Sequence, residues 1–422
     1  MRAYDVVVAG ASVAGCSTAI LLARQGLSVA LLERSPEAGA HKPLCTHYIQ
    51  SSALPVIERL GLAPLLEAAG AVPNAIDVHT RWGWVREPAA DPAHPAHGYN
   101  IRRETLDPLL RGLAAATPGL DLRLGHTVTD LVREGGQVRG VRAQDAAGAA
   151  VSLQARLVVG ADGRASRVAA LGGIAGRTSP NGRFFYFAQY RGLPEEGGRS
   201  RMWFLEPDIA YTFPNDDGIT VVAVAPAKAG LKAFKADREA SFARFVRALP
   251  DGPNLDRAVR VGPVMGFVDW PNLSRIPAGA GLALVGDAAL SVDPIWGTGC
   301  AFAFRSADWL AAAAGPALAA GASDAALAAS LSAYARHHRA GLAGHAFHIR
   351  DFATGRSWRW PERLLFSAAA HDEECARDLF AFAARNIGLG QFLSPAALLR
   401  AARVNLAQRR RAPRAADAPA LG

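Results

Sequence analysis

Three short segments of the chain join glycines to polar residues directly after an apolar run. The first, Gly10 to Gly15, reads Gly-Ala-Ser-Val-Ala-Gly and lies between the apolar run 6–9 and a stretch with helical spacing. A dinucleotide pyrophosphate needs a tight turn, a close backbone approach and a helix N-terminus with free N–H groups. Gly10 and Gly15 stand at the outer glycine positions of such a pattern, and Ser12 replaces the middle glycine with a hydroxyl that can donate to phosphate. We therefore assign Gly10, Ser12, Val13, Ala14 and Gly15 to phosphate binding.

A carboxylate follows at the end of the next apolar run, residues 27–32. Glu33 lies at a position where a carboxylate can hydrogen-bond a ribose diol, and Arg34 comes directly after it. Strand, glycine-rich turn, helix and strand within about 30 residues form a βαβ unit. The pattern predicts a site for an adenosine diphosphate moiety that includes Glu33 and Arg34.

Two further glycine-bearing segments also follow buried-strand patterns. Asp162-Gly163 comes after the apolar run 156–159, although an Asp-Gly pair at a strand end is also common as a plain turn. Gly286-Asp287 precedes a loop, 294–299, that opens a long helix. An Asp here can reach a ribityl and phosphate chain, and the glycines allow backbone N–H groups to approach a planar ring. The helix N-terminus would stabilise negative charge on that ring. The loop residues assigned to this site are Pro294, Gly297, Thr298 and Gly299.

In this order, the three segments resemble the flavoprotein monooxygenases of the p-hydroxybenzoate hydroxylase type, a superfamily shared with geranylgeranyl reductases and flavin-dependent halogenases. The resemblance spans residues 1 to about 315. It implies that the first segment binds the FAD pyrophosphate, that Asp162 and Gly163 serve FAD and transiently NAD(P)H, and that Gly286, Asp287 and the 294–299 loop hold the ribityl chain and isoalloxazine. Arg103 matches a family string that borders the flavin, and a surface charge is the alternative for it.

The resemblance also implies the chemistry. NAD(P)H would reduce FAD, O2 would form a C4a-hydroperoxyflavin, and the terminal oxygen would hydroxylate an apolar or aromatic small molecule of specialised metabolism. The nearest alternative is a geranylgeranyl-reductase-like FAD enzyme that reduces C=C bonds without O2. A flavin-dependent halogenase is less favoured, because Trp82 and Trp84 match its W-x-W string without the lysine that should accompany it. A non-catalytic accessory flavoprotein is the remaining alternative.

Two residues are candidates for catalysis. His47 and Tyr48 follow the second strand, where the superfamily's loop passes near the isoalloxazine, and His41 or Lys42 could assist them. A structural histidine is the alternative for His47. We predict a location near flavin or substrate for both residues and assign them no specific step.

Aromatic side chains in the middle of the chain are candidates for substrate contact. Phe185 and Phe187 would lie on one face of a strand, with Tyr186 and Tyr190 on the other. Core packing is the alternative for each residue individually, whereas together they suggest a large apolar pocket. The residues assigned to substrate binding are Phe185, Phe187, Trp203, Tyr211, Phe213 and Trp296.

These segments require a particular set of elements to position them. We predict an α/β fold with a Rossmann-like FAD-binding domain, a second domain built on an antiparallel β-sheet that binds substrate, and a helical C-terminal region. The FAD-binding domain is expected to be discontinuous. The predicted ranges are 1–70, 98–175 and 265–330 for that domain, 71–97 and 176–264 for the substrate domain, 331–410 for the helical region and 411–422 for a basic flexible tail.

Composition narrows the class of protein. With 50% hydrophobic and 20% charged residues among 422, the chain is globular, and we find no run apolar and long enough for a transmembrane segment. The four cysteines lack C-x-x-C spacing, which argues against a metal site and for a reducing, cytoplasmic setting. The net charge of +9 comes mostly from scattered arginine, so we expect O2 and a small molecule as partners, no nucleic acid, and a monomer or homodimer.

Overall fold

A computed structural model describes residues 2–89, 97–193 and 198–411. Its N-terminal segment has the predicted βαβ arrangement: strand β1 (Arg2–Ala9), helix α1 (Val13–Ala23) and strand β2 (Val29–Leu32). Val6, Val7 and Val8 are all fully buried, as expected of a strand that is covered on both faces. The two strands pair in parallel, so α1 is the crossover that the motif requires.

The other elements of the described residues follow in chain order. The strands are β3 (Tyr48–Ile49), β4 (Val72–Pro73), β5 (Ile76–Thr80), β6 (Gly83–Arg86), β7 (Tyr99–Asn100), β8 (Leu120–Arg123), β9 (Thr127–Glu134), β10 (Gln137–Gln144), β11 (Ala150–Gly160), β12 (Gly176–Ser179), β13 (Phe185–Arg191), β14 (Ser200–Leu205), β15 (Asp208–Pro214), β16 (Ile219–Ala225), β17 (Val259–Phe267), β18 (Asn272–Arg275), β19 (Ala278–Gly279), β20 (Leu282–Leu284) and β21 (Leu290–Ser291). The helices are α2 (Leu54–Arg59), α3 (Ala63–Ala68), α4 (Arg103–Ala115), α5 (Arg167–Leu171), α6 (Leu231–Ala236), α7 (Arg238–Arg247), α8 (Gly299–Ala319), α9 (Asp324–Phe352), α10 (Trp360–Ala369), α11 (Glu373–Ala383), α12 (Leu389–Phe392) and α13 (Pro395–Arg411).

The first sheet brings the three glycine-bearing segments together. Strands β20, β11, β1, β2 and β8 are neighbours in that order and run parallel. The register pairs Ala9 with Gly160 and Gly160 with Leu284, so β1, β11 and β20 end side by side. Each of the three segments begins just beyond one of these ends. The carboxyl edge of a parallel sheet is where α/β proteins bind their ligands, which confirms the predicted fold class.

The second sheet is largely antiparallel, with the strand order β17-β13-β16-β15-β14-β5-β6; only the β14–β5 pair is parallel. Side chains alternate across it as the sequence predicted. Phe185 and Phe187 pack on one face together with Trp296, whereas Tyr186 and Tyr190 pack on the other. Helices α6 and α7 cover this second face. The first face is therefore the one turned toward the loop at 294–299.

The C-terminal part is helical, as predicted. Helices α8 and α9 pack together, and α10, α11 and α13 form a group against the second sheet's first face. Among the described helices, none is long and apolar enough to cross a membrane. The predicted tail, 411–422, lies outside the described residues except for the last residue of α13. The proposed domain ranges stay a prediction.

Candidate active site

The turn at Gly10 to Gly15 owes its shape to its glycines. Gly10 has a φ of +101°, and a Cβ on it would lie 2.5 Å from the Ala161 carbonyl oxygen. A Cβ on Gly15 would lie 1.7 Å from the Gly10 carbonyl oxygen, so only glycine lets α1 begin this close to β1. Ser12 is the N-cap residue, and its side chain makes no capping bond. The first turn of α1 therefore keeps N–H groups available for a ligand.

Glu33 closes one side of this turn. Its Oε2 accepts the Ala11 N–H at 2.9 Å, and its Oε1 accepts the Ser35 N–H at 3.0 Å. These bonds fix the carboxylate at the end of β2, beside the turn. Each oxygen retains a lone pair for a further donor such as a ribose hydroxyl. Arg34 lies next to it on the wall of the same cavity.

Arg103 lies at the start of α4 and reaches the same turn. It is 4% exposed, which excludes the surface alternative. Its Nη2 donates to Ser12 Oγ at 2.5 Å, and its guanidinium donates to both Asp107 oxygens at 2.8–2.9 Å. The ion pair with Asp107 fixes the Arg103 guanidinium beside the N-terminus of α1. Arg111, which the sequence analysis missed, donates to the Ala11 carbonyl oxygen at 3.3 Å and braces the turn from behind.

Asp162 and Gly163 follow β11, and both line the cavity. Asp162 Oδ1 accepts the Ser166 hydroxyl at 2.5 Å, and its Oδ2 accepts the Val168 N–H at 3.0 Å, at the start of α5. Gly163 has a φ of +78°. The segment therefore forms a turn, as a purely structural Asp-Gly pair would. It also lies on the cavity wall, where a cofactor-binding segment is expected.

The third segment approaches α1 from the other side. Gly286 has a φ of +58°, and a Cβ on it would lie 2.8 Å from the Ala14 Cβ. Asp287 projects into the cavity and accepts Lys42 Nζ at 2.9 Å. Asp287 is the main cause that raises the pKa of Lys42. Gly297 has a φ of +61° and packs so closely on Tyr48 that a Cβ would lie 2.9 Å from the ring.

Most of these positions border one cavity of about 720 Å³. Of the residues assigned to the cofactor, those that line it are Gly10, Ser12, Val13, Ala14, Glu33, Arg34, Arg103, Asp162, Gly163, Asp287, Pro294, Gly297, Thr298 and Gly299. Gly15 and Gly286 lie just behind the cavity lining, where the absence of a side chain allows the close contacts described above. The described residues contain no cluster of ligands suited to a metal ion.

The far end of the cavity is aromatic. Phe185, Phe187 and Tyr211 line it as predicted, and Phe267 and Trp270, which the sequence analysis missed, extend the same wall. Phe267 lies 5.0 Å from Phe185 and 4.8 Å from Trp270, measured between ring centroids. The pairing of β17 with β13 places Phe267 opposite Phe185. These rings therefore form one aromatic surface, and the Lys42 and Arg164 side chains lie over its Trp270 end.

The other predicted substrate residues lie elsewhere. Phe213 and Trp296 border a second cavity of about 50 Å³, together with Tyr48. Trp203 lies on the opposite face of the second sheet, where its indole N–H donates to the Pro250 carbonyl oxygen at 2.8 Å. The structure does not bring Trp203 to the main cavity, because neighbouring residues of β14 alternate between faces and Met202 and Phe204 take the inner one.

The two candidate catalytic residues also lie outside the main cavity's lining. His47 is 3% exposed, and its Nδ1 accepts the Arg103 N–H at 2.9 Å, which places the ring proton on Nε2. Burial lowers the pKa of His47, so the ring is neutral. Tyr48 packs on Phe213 at 4.9 Å, and burial raises the pKa of its phenol. Their catalytic assignment stays a prediction.

Two cysteines that the sequence did not identify as neighbours lie on the cavity wall. Cys45 lies in the loop after β2 and Cys300 in the first turn of α8, and both line the cavity. The neighbouring Cys300 thiol and the Arg103 guanidinium lower the pKa of the Cys45 thiol, and burial opposes them. The two residues are far apart in the sequence, so no spacing signal could have revealed the pair.

Comparisons with known proteins agree with this geometry. Residues 3–188 match the family model described as FAD binding domain. Kynurenine 3-monooxygenase of Salinispora arenicola is 29% identical over 337 residues, which is 72% of this chain and 71% of that protein. A digeranylgeranylglycerophospholipid reductase of Methanococcoides burtonii is 28% identical over 304 residues, 70% of each chain. The solved structure of flavin-dependent brominase Bmp2 superposes with a TM-score of 0.78 at 19% identity, over 97% of this chain and all of that one, which shows a common fold.

Proposed function

Because this chain is an FAD-dependent oxidoreductase of the superfamily that contains monooxygenases, geranylgeranyl reductases and flavin-dependent halogenases, we propose that it is an NAD(P)H-using monooxygenase that hydroxylates an apolar or aromatic small molecule. One observation carries the proposal. The cavity that begins at the phosphate-binding turn continues without interruption to the wall formed by Phe185, Phe187, Tyr211, Phe267 and Trp270. Cofactor and an apolar substrate would therefore share one cavity.

The residues present fit FAD. The glycine contacts at Gly10 and Gly15 open the N-terminus of α1 to a pyrophosphate, and Arg103, paired with Asp107, fixes Ser12 beside it. Glu33 offers its remaining lone pairs to a ribose diol. Asp287 would exchange part of its bond with Lys42 for hydroxyls of the ribityl chain. When bound, FAD supplies hydride acceptance from NAD(P)H and reaction with O2.

Two other parts of the chain complete the site. The N-terminus of α8, a helix of 21 residues, faces the cavity at Thr298 and Gly299 and stabilises negative charge that develops on the cofactor ring. Thr298 is the N-cap and makes no side-chain capping bond, so these N–H groups stay available. The aromatic wall orients the substrate and excludes water from the reacting atoms.

The experiment is turnover by the purified protein with NADH or NADPH, under air and under argon, with a panel of aromatic and polyketide-like ligands. The proposal predicts ligand-stimulated oxidation of one nicotinamide, equal consumption of O2, and a product that contains one oxygen atom from 18O2. Ligand-stimulated turnover without O2 would contradict it. Phe187→Ser should lose the ligand stimulation and keep FAD binding. Phe245→Ser is the control, because this phenylalanine of α7 is partly buried against the other face of the second sheet and does not line the cavity.

A reductase of C=C bonds is the second candidate, because archaeal digeranylgeranylglycerophospholipid reductases match about 70% of the chain. The same cavity would hold an isoprenoid chain along its aromatic wall. This candidate predicts turnover under argon and deuterium transfer into the product. The similarity to a brominase structure concerns the fold, and halogenation is tested by adding bromide to the aerobic assay and seeking a brominated product.

A further inference from the structure

The C-terminal helices bury an arginine that has no acidic partner. Arg385 follows α11 and is 2% exposed. Its Nη1 lies 3.4 Å from the Phe382 carbonyl oxygen and 3.5 Å from His345 Nδ1. Its Nε and Nη2 are buried and make no hydrogen bond to any described residue. A guanidinium left this way carries a large desolvation cost unless something outside the described side chains binds it.

A second arginine points into the same region. Arg305 lies on α8, and its Nη1 is buried without a hydrogen-bond partner among residues 2–89, 97–193 and 198–411. It lies 4.8 Å from the centre of the Trp309 ring. Burial and then Arg305 lower the pKa of Arg385 to about 9, and no carboxylate is close enough to oppose the shift. Arg385 therefore remains protonated at neutral pH, and its charge and that of Arg305 repel one another.

The nearby carboxylates are already engaged. Glu362 on α10 accepts both terminal nitrogens of Arg356 at 2.7 Å and lies 3.4 Å from His348 Nε2. Asp308 on α8 pairs with Arg59 at 2.9 Å. No ion pair within the described part of the chain includes Arg385. The described residues therefore leave the positive charge of Arg385 without an acidic partner.

Apart from the Phe382 carbonyl oxygen and the Gln50 amide, which donates to the Trp296 and Ala383 carbonyl oxygens, the groups around Arg385 are hydrogen-bond donors or neutral rings. Trp296 lies under the guanidinium, 5.1 Å from it to the ring centre, and its indole N–H is buried without a partner in the described residues. His345 is 5% exposed; burial, Arg385 and Arg305 lower its pKa to about 3, so it adds no charge. Several N–H donors with no acidic acceptor are the composition expected of an anion site.

We propose that Arg385, Arg305 and Trp296 bind a small monovalent inorganic anion of the size of chloride. Arg385 lines neither of the two cavities, so a ligand as large as a substrate does not reach it. The anion offsets one of the two positive charges and fixes the Trp296 ring. Trp296 belongs to the loop that precedes α8, so the anion connects the C-terminal helices to the cofactor side of the molecule. This site is separate from the oxidoreductase chemistry.

The first test is thermal unfolding of the purified full-length chain in sodium chloride against sodium gluconate at constant ionic strength. For the wild-type chain we expect the Tm to rise by about 2 °C for each tenfold increase in chloride above the dissociation constant. Arg385→Met should lose this dependence. In gluconate the variant should be more stable than wild type, because methionine of similar volume replaces an unpaired buried charge; in chloride it should be less stable.

The control is Arg339→Met, which removes an exposed arginine from α9 and should keep the wild-type response. Arg305→Met tests the second arginine independently if Arg385→Met does not fold. Diffraction from wild-type crystals grown in sodium bromide should show an anomalous peak beside both guanidiniums. The proposal is overturned by a Tm independent of chloride, by Arg385→Met and Arg305→Met that both retain the wild-type response, or by ordered water alone at this position in bromide.

Discussion

Gly15→Ala tests the cofactor assignment at its tightest contact. The added Cβ would lie 1.7 Å from the Gly10 carbonyl oxygen and 3.2 Å from the Ala161 Cβ, whereas such contacts are essentially never below 3.0 Å. The N-terminus of α1 must therefore move by about 1.3 Å away from β1, which is far outside ordinary adjustment in a packed core. Overpacking of this kind costs about 1–3 kcal/mol of the free energy of unfolding.

The same movement displaces the helix N–H groups from the pyrophosphate. Loss of one hydrogen bond to a charged group is worth about 1.5–3 kcal/mol, which corresponds to an FAD dissociation constant raised about 10- to 150-fold. The assay is titration of apo-protein with FAD, followed by quenching of flavin fluorescence, beside urea unfolding of the apo-protein. Measuring both separates weaker binding from a general loss of folding.

Gly112→Ala is the matched control for this substitution. Gly112 also lies within a helix, α4, is exposed, and has nothing within 4 Å of an added Cβ. Alanine there should stabilise the chain by about 0.5–1 kcal/mol and leave FAD affinity unchanged. If Gly15→Ala binds FAD with the wild-type dissociation constant, the turn does not hold the pyrophosphate and the reasoning fails.

Three further substitutions test other parts of the site. Asp287→Ala should change the free energy of unfolding by less than about 1 kcal/mol, because its pair with Lys42 is partly exposed, yet weaken FAD binding about tenfold in the same titration; unchanged affinity would place the ribityl chain elsewhere. Arg103→Met leaves the Asp107 carboxylate buried without its ion-pair partner, so the free energy of unfolding measured in urea should fall by about 3–5 kcal/mol. Adding Asp107→Leu should restore most of this free energy. Effects of the two substitutions that simply add in the double variant would contradict the reasoning. Burial raises the pKa of the Asp293 carboxyl group to about 6, so the folded chain holds the carboxyl proton more tightly than the unfolded chain does. The stability that this proton contributes is present below about pH 4 and is lost as the pH rises through about 6. Between about pH 3 and about pH 7 the wild-type free energy of unfolding should fall by about 3 kcal/mol relative to Asp293→Asn, and parallel pH profiles would refute the shift.

The cofactor half of the site could be predicted because its geometry is local. A glycine-rich turn between a strand and a helix has few possible structures, and parallel strands bring their carboxyl ends to one edge. Gly10, Asp162 and Asp287 therefore fall where a short-range pattern placed them. The role of Gly15 also follows from its position, since the helix can start beside the strand only if that residue has no side chain.

The substrate half depends on contacts between distant strands, which a single sequence does not encode visibly. Alternation in β13 correctly separated Phe185 from Tyr186, but it could not show which face meets the cavity. Phe267 was missed because its place beside Phe185 is set by the register of β17 against β13. Trp203 was assigned by residue type alone, and the alternation of β14 turns it to the other face.

His47 shows a further limit. Its place in the sequence after β2 suggested chemistry near the flavin, yet its Nδ1 accepts the first N–H of α4. That bond joins segments that are far apart in the chain, so only the folded arrangement shows it. The same applies to Cys45 and Cys300, whose contact depends on how the loop after β2 meets the start of α8.

The most direct test of the central claim is a crystal structure of the protein with FAD bound. The account predicts the pyrophosphate at the N-terminus of α1 beside Ser12, the adenosine ribose on Glu33, and the isoalloxazine between Gly297–Gly299 and the aromatic wall at Phe185. FAD bound in another place, or its isoalloxazine separated from that wall by protein, would contradict the assignment of cofactor and substrate to one continuous cavity.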